Sequence, residues 1–143
     1  MFSVPVRIKR ISADARIPVK ATEGAAFYDV SACEDTTLRR GLVMQVSTGL
    51  YFEVPTGYGL EIRPRSGLSL HKVLVANSPG TLDSDYRGEL KILLLNFGNR
   101  DYLIRRGDRI AQIGIRAASV IEFIEGELSE TKRGQGGFGS TGR

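Results

Sequence analysis

A chain of 143 residues, 41% hydrophobic and 25% charged, is long enough for one ordinary domain with a real core and too apolar to be disordered. No apolar run is longer than residues 92–95, and the N-terminus MFSVPVRIKR lacks the apolar stretch of a secretory signal, so neither a membrane span nor a leader is expected. The net charge of +4 is uneven: all 16 acids and all but three of the 20 bases precede Lys132, which leaves the body near neutral and puts the excess (Lys132, Arg133, Arg143) in the tail.

Residues 4–11 read as the first strand, with Val6, Ile8 and Ile11 as apolar anchors. Residues 43–54 follow, with Leu50, Phe52 and Val54 at period two and Pro55-Thr56-Gly57 as the stop. Residues 60–63 alternate and end at Pro64, and residues 90–97 form an apolar run closed by Gly98-Asn99. Residues 102–104 and 109–115 are separated by Arg106-Gly107-Asp108. In the second of these, Ala111, Ile113 and Ile115 face one way and Gln112 the other. Residues 120–124 are the last predicted strand. No stretch keeps apolar residues at helical spacing for three turns, and 17 glycines, well above the usual ~7%, fit many tight turns. The expected fold is all-β, with eight or more short strands in a sandwich, barrel or jelly roll.

Composition changes after Thr131. Residues 1–131 are expected to form the domain and 132–143 a flexible arm, because five glycines between Arg133 and Arg143 make ordering costly. The string Gly134 to Gly139 satisfies G-x-G-x-x-G, but no strand-to-helix context surrounds it, and a dinucleotide site is not expected. An arm carrying Arg133 and Phe138 can close on a nucleotide, the cation on phosphate and the ring on a base. An idle terminus is the plain alternative.

Chemistry-bearing residues are few. Asp83 and Asp85 point to one side if their segment is extended, as a metal-binding pair or as one base beside a structural neighbour. Asp29 stands among small and aromatic residues; a turn aspartate bonding its own backbone is the bland reading of all three. Arg65 and Ser66 fall at a strand end before Gly67, where a guanidinium, a hydroxyl and free N–H groups suit phosphate. The single cysteine, Cys33, excludes an internal disulfide and reads as a small buried hydrophobe; the single histidine, His71, reads as a loop residue.

The segments GAAFYDVSA (24–32), PRSGLS (64–69), NSPGTLDSDYRGE (77–89), RGDRIAQ (106–112) and RGQGGFGSTG (133–142) occur in this order. Together they resemble the five motifs of the homotrimeric dUTP pyrophosphatase (dUTPase) family, and the resemblance spans nearly the whole chain. It implies a jelly-roll-like or distorted-barrel subunit, a threefold trimer with shared active sites, and Mg²⁺-assisted hydrolysis of dUTP to dUMP and pyrophosphate. It further implies a cytoplasmic enzyme, or a nuclear one in a eukaryotic or viral setting, that supplies dUMP for dTTP.

By the same resemblance Asp83 orients the attacking water and contacts the deoxyribose 3′-hydroxyl, and Tyr86 packs under the sugar. Asn77 lies beside the uracil, and the backbone of Gly80, Thr81, Leu82 and Asp83 reads the pyrimidine edge, with Lys91 in the same substrate-binding set. Arg65, Ser66 and Gly67 form the phosphate-binding turn, Ser66 also serving catalysis, and Gln112 meets phosphate as well. Asp29 contacts Mg²⁺ through water. Arg133 clamps the γ-phosphate, while Phe138 and Gly139 cover the base. Three departures stand out: Phe27 replaces the usual glycine, Gly114 replaces a bulky apolar residue, and residues 68–76 are one shorter than in many relatives.

These roles imply that Asp83 takes a proton from a water aimed in line at the α-phosphorus. Ser66 and nearby N–H groups stabilise charge on the oxygen between the α and β phosphates. Two other readings are a deaminase of dCTP sharing the fold, and a non-enzymatic partner- or RNA-binding role for the Gly-Arg tail. The near-neutral body disfavours nucleic acid, whose binders carry the basic face on the folded part.

Overall fold

Period-two burial organises the long strands of the computed structural model, which describes residues 2–142 and leaves Met1 and Arg143 outside. Strand β1 is Arg7–Arg10, β2 Tyr28–Ser31, β3 Thr36–Leu38, β4 Val43–Glu53 and β5 Tyr58–Arg63. A short helix α1, Ser66–Leu70, precedes β6 Val73–Val75, β7 Gly80–Leu82, β8 Glu89–Asn96, β9 Tyr102–Ile104 and β10 Arg109–Ala117. In β8, Leu90, Ile92, Leu94 and Asn96 turn inward while Lys91 stays exposed.

Two four-stranded antiparallel sheets, ordered β1-β4-β8-β6 and β2-β10-β5-β7, face each other, and a two-stranded β3-β9 ribbon closes one end. Val46, Leu50, Ile92 and Leu94 of the first sheet meet Val30, Leu60, Ile62 and Ile113 of the second, with Leu38 and Ile104 from the ribbon. Each such side chain contributes about 1.5–3 kcal/mol on leaving water. Asn96 is the large polar group inside; its Nδ2 donates to the carbonyls of Leu38 and Arg100, and its Oδ1 accepts from Gly98 N–H. This is the expected all-β, jelly-roll-like architecture. Among the described residues no helix is long and apolar enough to cross a membrane.

Two irregularities aim side chains outward. The pairing of β10 with β2 shifts between Arg109 and Ala111, so Ile110 and Ala111 are both fully buried and Gln112 emerges on the opposite face. The pairing of β4 with β8 shifts between Ser47 and Tyr51, next to Gly49 at φ 68, where a Cβ would lie 2.8 Å from that of Ala15.

Several expectations need correction. Residues 120–124 are not a strand: Val120 is 99% exposed and Phe123 89%, because no strand edge of this chain lies beside them to complete a ladder. The first strand, Arg7–Arg10, is shorter than residues 4–11, since Pro5 lacks an N–H for the ladder; Ile11 lies beyond its end, where its N–H still donates to the Gly49 carbonyl. Ile115 shares the face of Ala111 and Ile113 but stays partly exposed where β10 outruns the core. Cys33 is half-buried rather than buried; burial, then the charges of Glu34 and Glu89, push its thiol pKa up. His71 caps α1 at the surface, as a loop residue would.

Candidate active site

The segment from Asn77 to Lys91 builds one wall of a cavity of about 610 Å³. β7 pairs with β5, Gly80 opposite Ile62 and Leu82 opposite Leu60, which brings the chain across the sheet edge. The backbone runs close to its neighbours at Gly80: a Cβ would lie 3.2 Å from Asn77 Nδ2. Beyond β7 the chain turns, with Tyr86 N–H donating to the Asp83 carbonyl at 3.2 Å and Arg87 Nη1 donating to the carbonyls of Ser84 and Tyr86. Tyr86 folds back over Gly88, its hydroxyl donating to the Glu89 carbonyl at 3.0 Å. A Cβ on Gly88 would lie 2.2 Å from that hydroxyl oxygen, so only glycine admits this ring position.

Asn77, Thr81, Leu82, Asp83, Tyr86 and Lys91 all line the cavity, with Gly80 behind them. Asp85 does not line it: the segment is a turn and not an extended stretch, and Asp85 shares with Asp83 a neighbouring cavity of about 730 Å³ instead. Gln45, Tyr51 and Glu89 also line it and were not foreseen. They stand where β4 and β8 run together, Gln45 opposite Leu93 and Tyr51 opposite Glu89; their outward parity was readable, their shared cavity was not.

A second cluster forms on the outer face of the other sheet. β10 sets Gln112 opposite Asp29 on one side and Arg63 on the other, and Gln112 Nε2 donates to the Pro64 carbonyl at 2.9 Å. Asp29 Oδ1 accepts from Arg65 Nε and Oδ2 from Arg109 Nη1, both at 3.1 Å, and Arg65 Nη1 reaches the Arg109 carbonyl at 3.3 Å. Arg65 is also the residue before α1, so Ser66 and Gly67 are exposed in the first turn. Two guanidinium groups on one carboxylate leave this cluster net cationic, the balance a polyphosphate requires. Arg109 lay inside RGDRIAQ and had been given no role. Nearby, Arg116 and then Arg63 hydrogen-bond Glu61 and hold its carboxyl below the usual range.

None of Asp29, Arg65, Ser66, Gly67 or Gln112 lines the 610 Å³ cavity, so the two groups are separate within one chain. Arg133, Phe138 and Gly139 join neither: Arg133 Nε donates to the Gly136 carbonyl at 2.7 Å, and Phe138 is fully exposed at φ 52. Among the described residues no three His, Cys, Asp or Glu side chains come together to hold a metal ion.

A family model for dUTPase matches residues 13–142. A deoxyuridine 5′-triphosphate nucleotidohydrolase of Nautilia profundicola is 47% identical over 140 residues, covering 96% of this chain and 99% of its own length. The enzyme of that name from Helicobacter pylori strain P12 is also 47% identical, over 139 residues, with 96% of each chain covered. Among solved structures, a variant of the Staphylococcus bacteriophage 80alpha dUTPase with dUpNHpp superposes with a TM-score of 0.88 at 25% identity, covering 97% of this chain and 99% of that one. With the match running from residue 13 to 142 and through both clusters of side chains, the chain belongs to the dUTPase family.

Proposed function

We propose that this chain hydrolyses dUTP to dUMP and pyrophosphate by in-line attack of water at the α-phosphorus. The observation that carries the reading is the cavity in which Asn77, Asp83 and Tyr86 converge beside the edge of β7. Among the described residues β7 pairs only with β5, so its second edge offers unpaired N–H and C=O groups, the donors and acceptors that a pyrimidine edge needs. Asn77 and Lys91 flank that edge, and the Tyr86 ring packs under the deoxyribose. Asp83, at the rim, takes the proton of the attacking water. Arg65, Ser66, Gly67 and Gln112 hold the phosphates, and Ser66 with adjacent N–H groups stabilises the oxygen that leaves with pyrophosphate.

The residues fit Mg²⁺ as an ion carried on the substrate. This ion is commonly bound by one or two carboxylates plus phosphates and keeps several waters. Asp29 is one such carboxylate, and both of its oxygens already accept from arginine, which suits contact through a water rather than direct ligation. When bound, Mg²⁺ offsets phosphate charge and favours one triphosphate conformer.

The homotrimer is part of the same proposal. Val120, Ile121, Phe123, Ile124 and Leu128 are all exposed on an arm that carries Glu122, Glu125, Glu127 and Glu130 and no base between Ala117 and Thr131. The outer edge strand β1 carries Arg7, Lys9 and Arg10. A second copy supplies the covering that this apolar, acidic arm lacks, and its phosphate cluster completes the first copy's nucleoside cavity. Residues 132–143 then close over the site as a lid. A cytoplasmic setting, where nucleotides are made, belongs to this reading.

Pyrophosphate release from dUTP, dTTP, dCTP and UTP, with and without Mg²⁺, tests the proposal. Strong preference for dUTP with Mg²⁺ supports it; ammonia release from dCTP overturns it in favour of deamination. The position of Tyr86 gives a finer expectation. Gly88→Ala pushes the ring out from under the sugar, and discrimination between dUTP and UTP should fall on the order of tenfold, since a buried unpaired hydroxyl costs about 1–3 kcal/mol. An unchanged ratio of kcat/KM values places the sugar gate away from Tyr86.

A further inference from the structure

Phe27 and Gly114, two of the positions that depart from the motif resemblance, are brought into contact by the fold. Among the described residues β2 is bonded to β10 along one side and, on the other, only through the bridge between Val19 and Asp29. The register sets Gln112 opposite Asp29 and Ile113 opposite Tyr28, so Gly114 comes next, facing Phe27. The ring fills the place of the missing side chain: a Cβ on Gly114 would lie 2.7 Å from Phe27 Cε1 and 2.9 Å from Cδ1 and Cζ. The Arg63 guanidinium stacks on the ring at 4.5 Å from its centroid, a cation–π contact. Arg63 is in turn paired with Glu61, whose other oxygen accepts from Arg116 Nε at 2.7 Å.

We propose that Phe27 and Gly114 are one interlocked unit that sets the position of Asp29, and through it Arg65, at the triphosphate and Mg²⁺ end of the site. This rests on the reading of Asp29 given above. Phe27 is a positioning residue: it immediately precedes the four-residue strand β2, two residues before Asp29, and the carboxylate depends on two single contacts of 3.1 Å. A displacement of about 1 Å in such a strand breaks them, and misplacement of that size costs on the order of 10²-fold in rate.

The test compares Phe27→Gly, Gly114→Ile and the exchanged double variant by dUTP turnover across a Mg²⁺ titration, with dUMP binding as the control for the nucleoside cavity. Each single variant should raise the Mg²⁺ concentration for half-maximal rate by about tenfold and leave dUMP affinity within about twofold. The double variant should recover most of that loss, because the two sites are in contact and their effects are not additive. Where Gly114→Ile does not fold, Gly114→Ala replaces it, checked by its melting temperature. A double variant with the summed losses of the singles, or a Gly114→Ala protein with the native Mg²⁺ dependence, overturns the interlock. Asp29→Asn runs in parallel. An unchanged Mg²⁺ dependence there overturns the reading of Asp29 itself; a changed one, beside an unaffected Gly114 variant, overturns the interlock alone.

Discussion

Asp83→Asn is expected to bind the unreactive analogue dUpNHpp as the native chain does and to lose turnover by ~10²–10⁴-fold, the usual worth of a positioned general base. Asparagine keeps the size and polarity of the side chain but does not accept a proton from water. The substitution spares the local fold, because the turn after β7 is held by the Asp83 carbonyl and not by its carboxylate. Asp83 also lines the cavity. Steady-state turnover and analogue titration on the purified variant separate the two effects. Near-native turnover removes Asp83 from the proton transfer; lost analogue binding makes it a binding residue instead.

Ending the chain at Thr131 is expected to leave the melting temperature nearly unchanged and to remove most of the turnover. Every hydrogen bond formed by residues 132–142 among the described residues is local. The N–H groups of Gly134, Gly136, Ser140 and Gly142 each donate to a carbonyl three residues earlier, beginning at Thr131, and Arg133 Nε donates to Gly136. The segment therefore contributes little to the folded body. With nucleotide bound, Arg133 is expected to make charge-assisted bonds to phosphate, and Phe138 to stack on uracil for about 1–3 kcal/mol. Gly139 at φ 88 lets the chain turn directly after the ring. The comparison is calorimetric melting and turnover of the full and shortened chains. Unchanged turnover makes the arm a bystander, and a collapsed melting temperature makes it part of the fold.

The long strands were legible because β4, β8 and β10 are long enough to show alternation, and the turn signals beside them are strong: Pro55 after β4, Gly98 after β8 and Gly107 before β10. β3, β6 and β7, three residues each, are too short to show a period, and α1 has barely one turn. Residues 120–124 misled for a different reason. Their apolar character is real, but a strand needs a ladder partner that this chain alone does not provide.

The motif resemblance proposes Asn77, Asp83, Tyr86, Arg65 and Gln112 as site residues, and the structure sorts them into two groups. Arg109 was hidden because its role is a contact to Asp29 across strands, 80 residues apart in sequence. The pairing of Phe27 with Gly114 was likewise invisible until the register of β2 and β10 put the ring over the glycine.

The account of catalysis rests on where the water attacks, and isotope transfer reads this directly. Hydrolysis of dUTP in water enriched in ¹⁸O, followed by mass spectrometry of both products, reports which phosphorus receives the oxygen. Attack at the α-phosphorus by a water held at Asp83 puts the label in dUMP and none in pyrophosphate. Label in pyrophosphate contradicts it, because the water has then attacked the β-phosphorus, out of line with the base assigned to it.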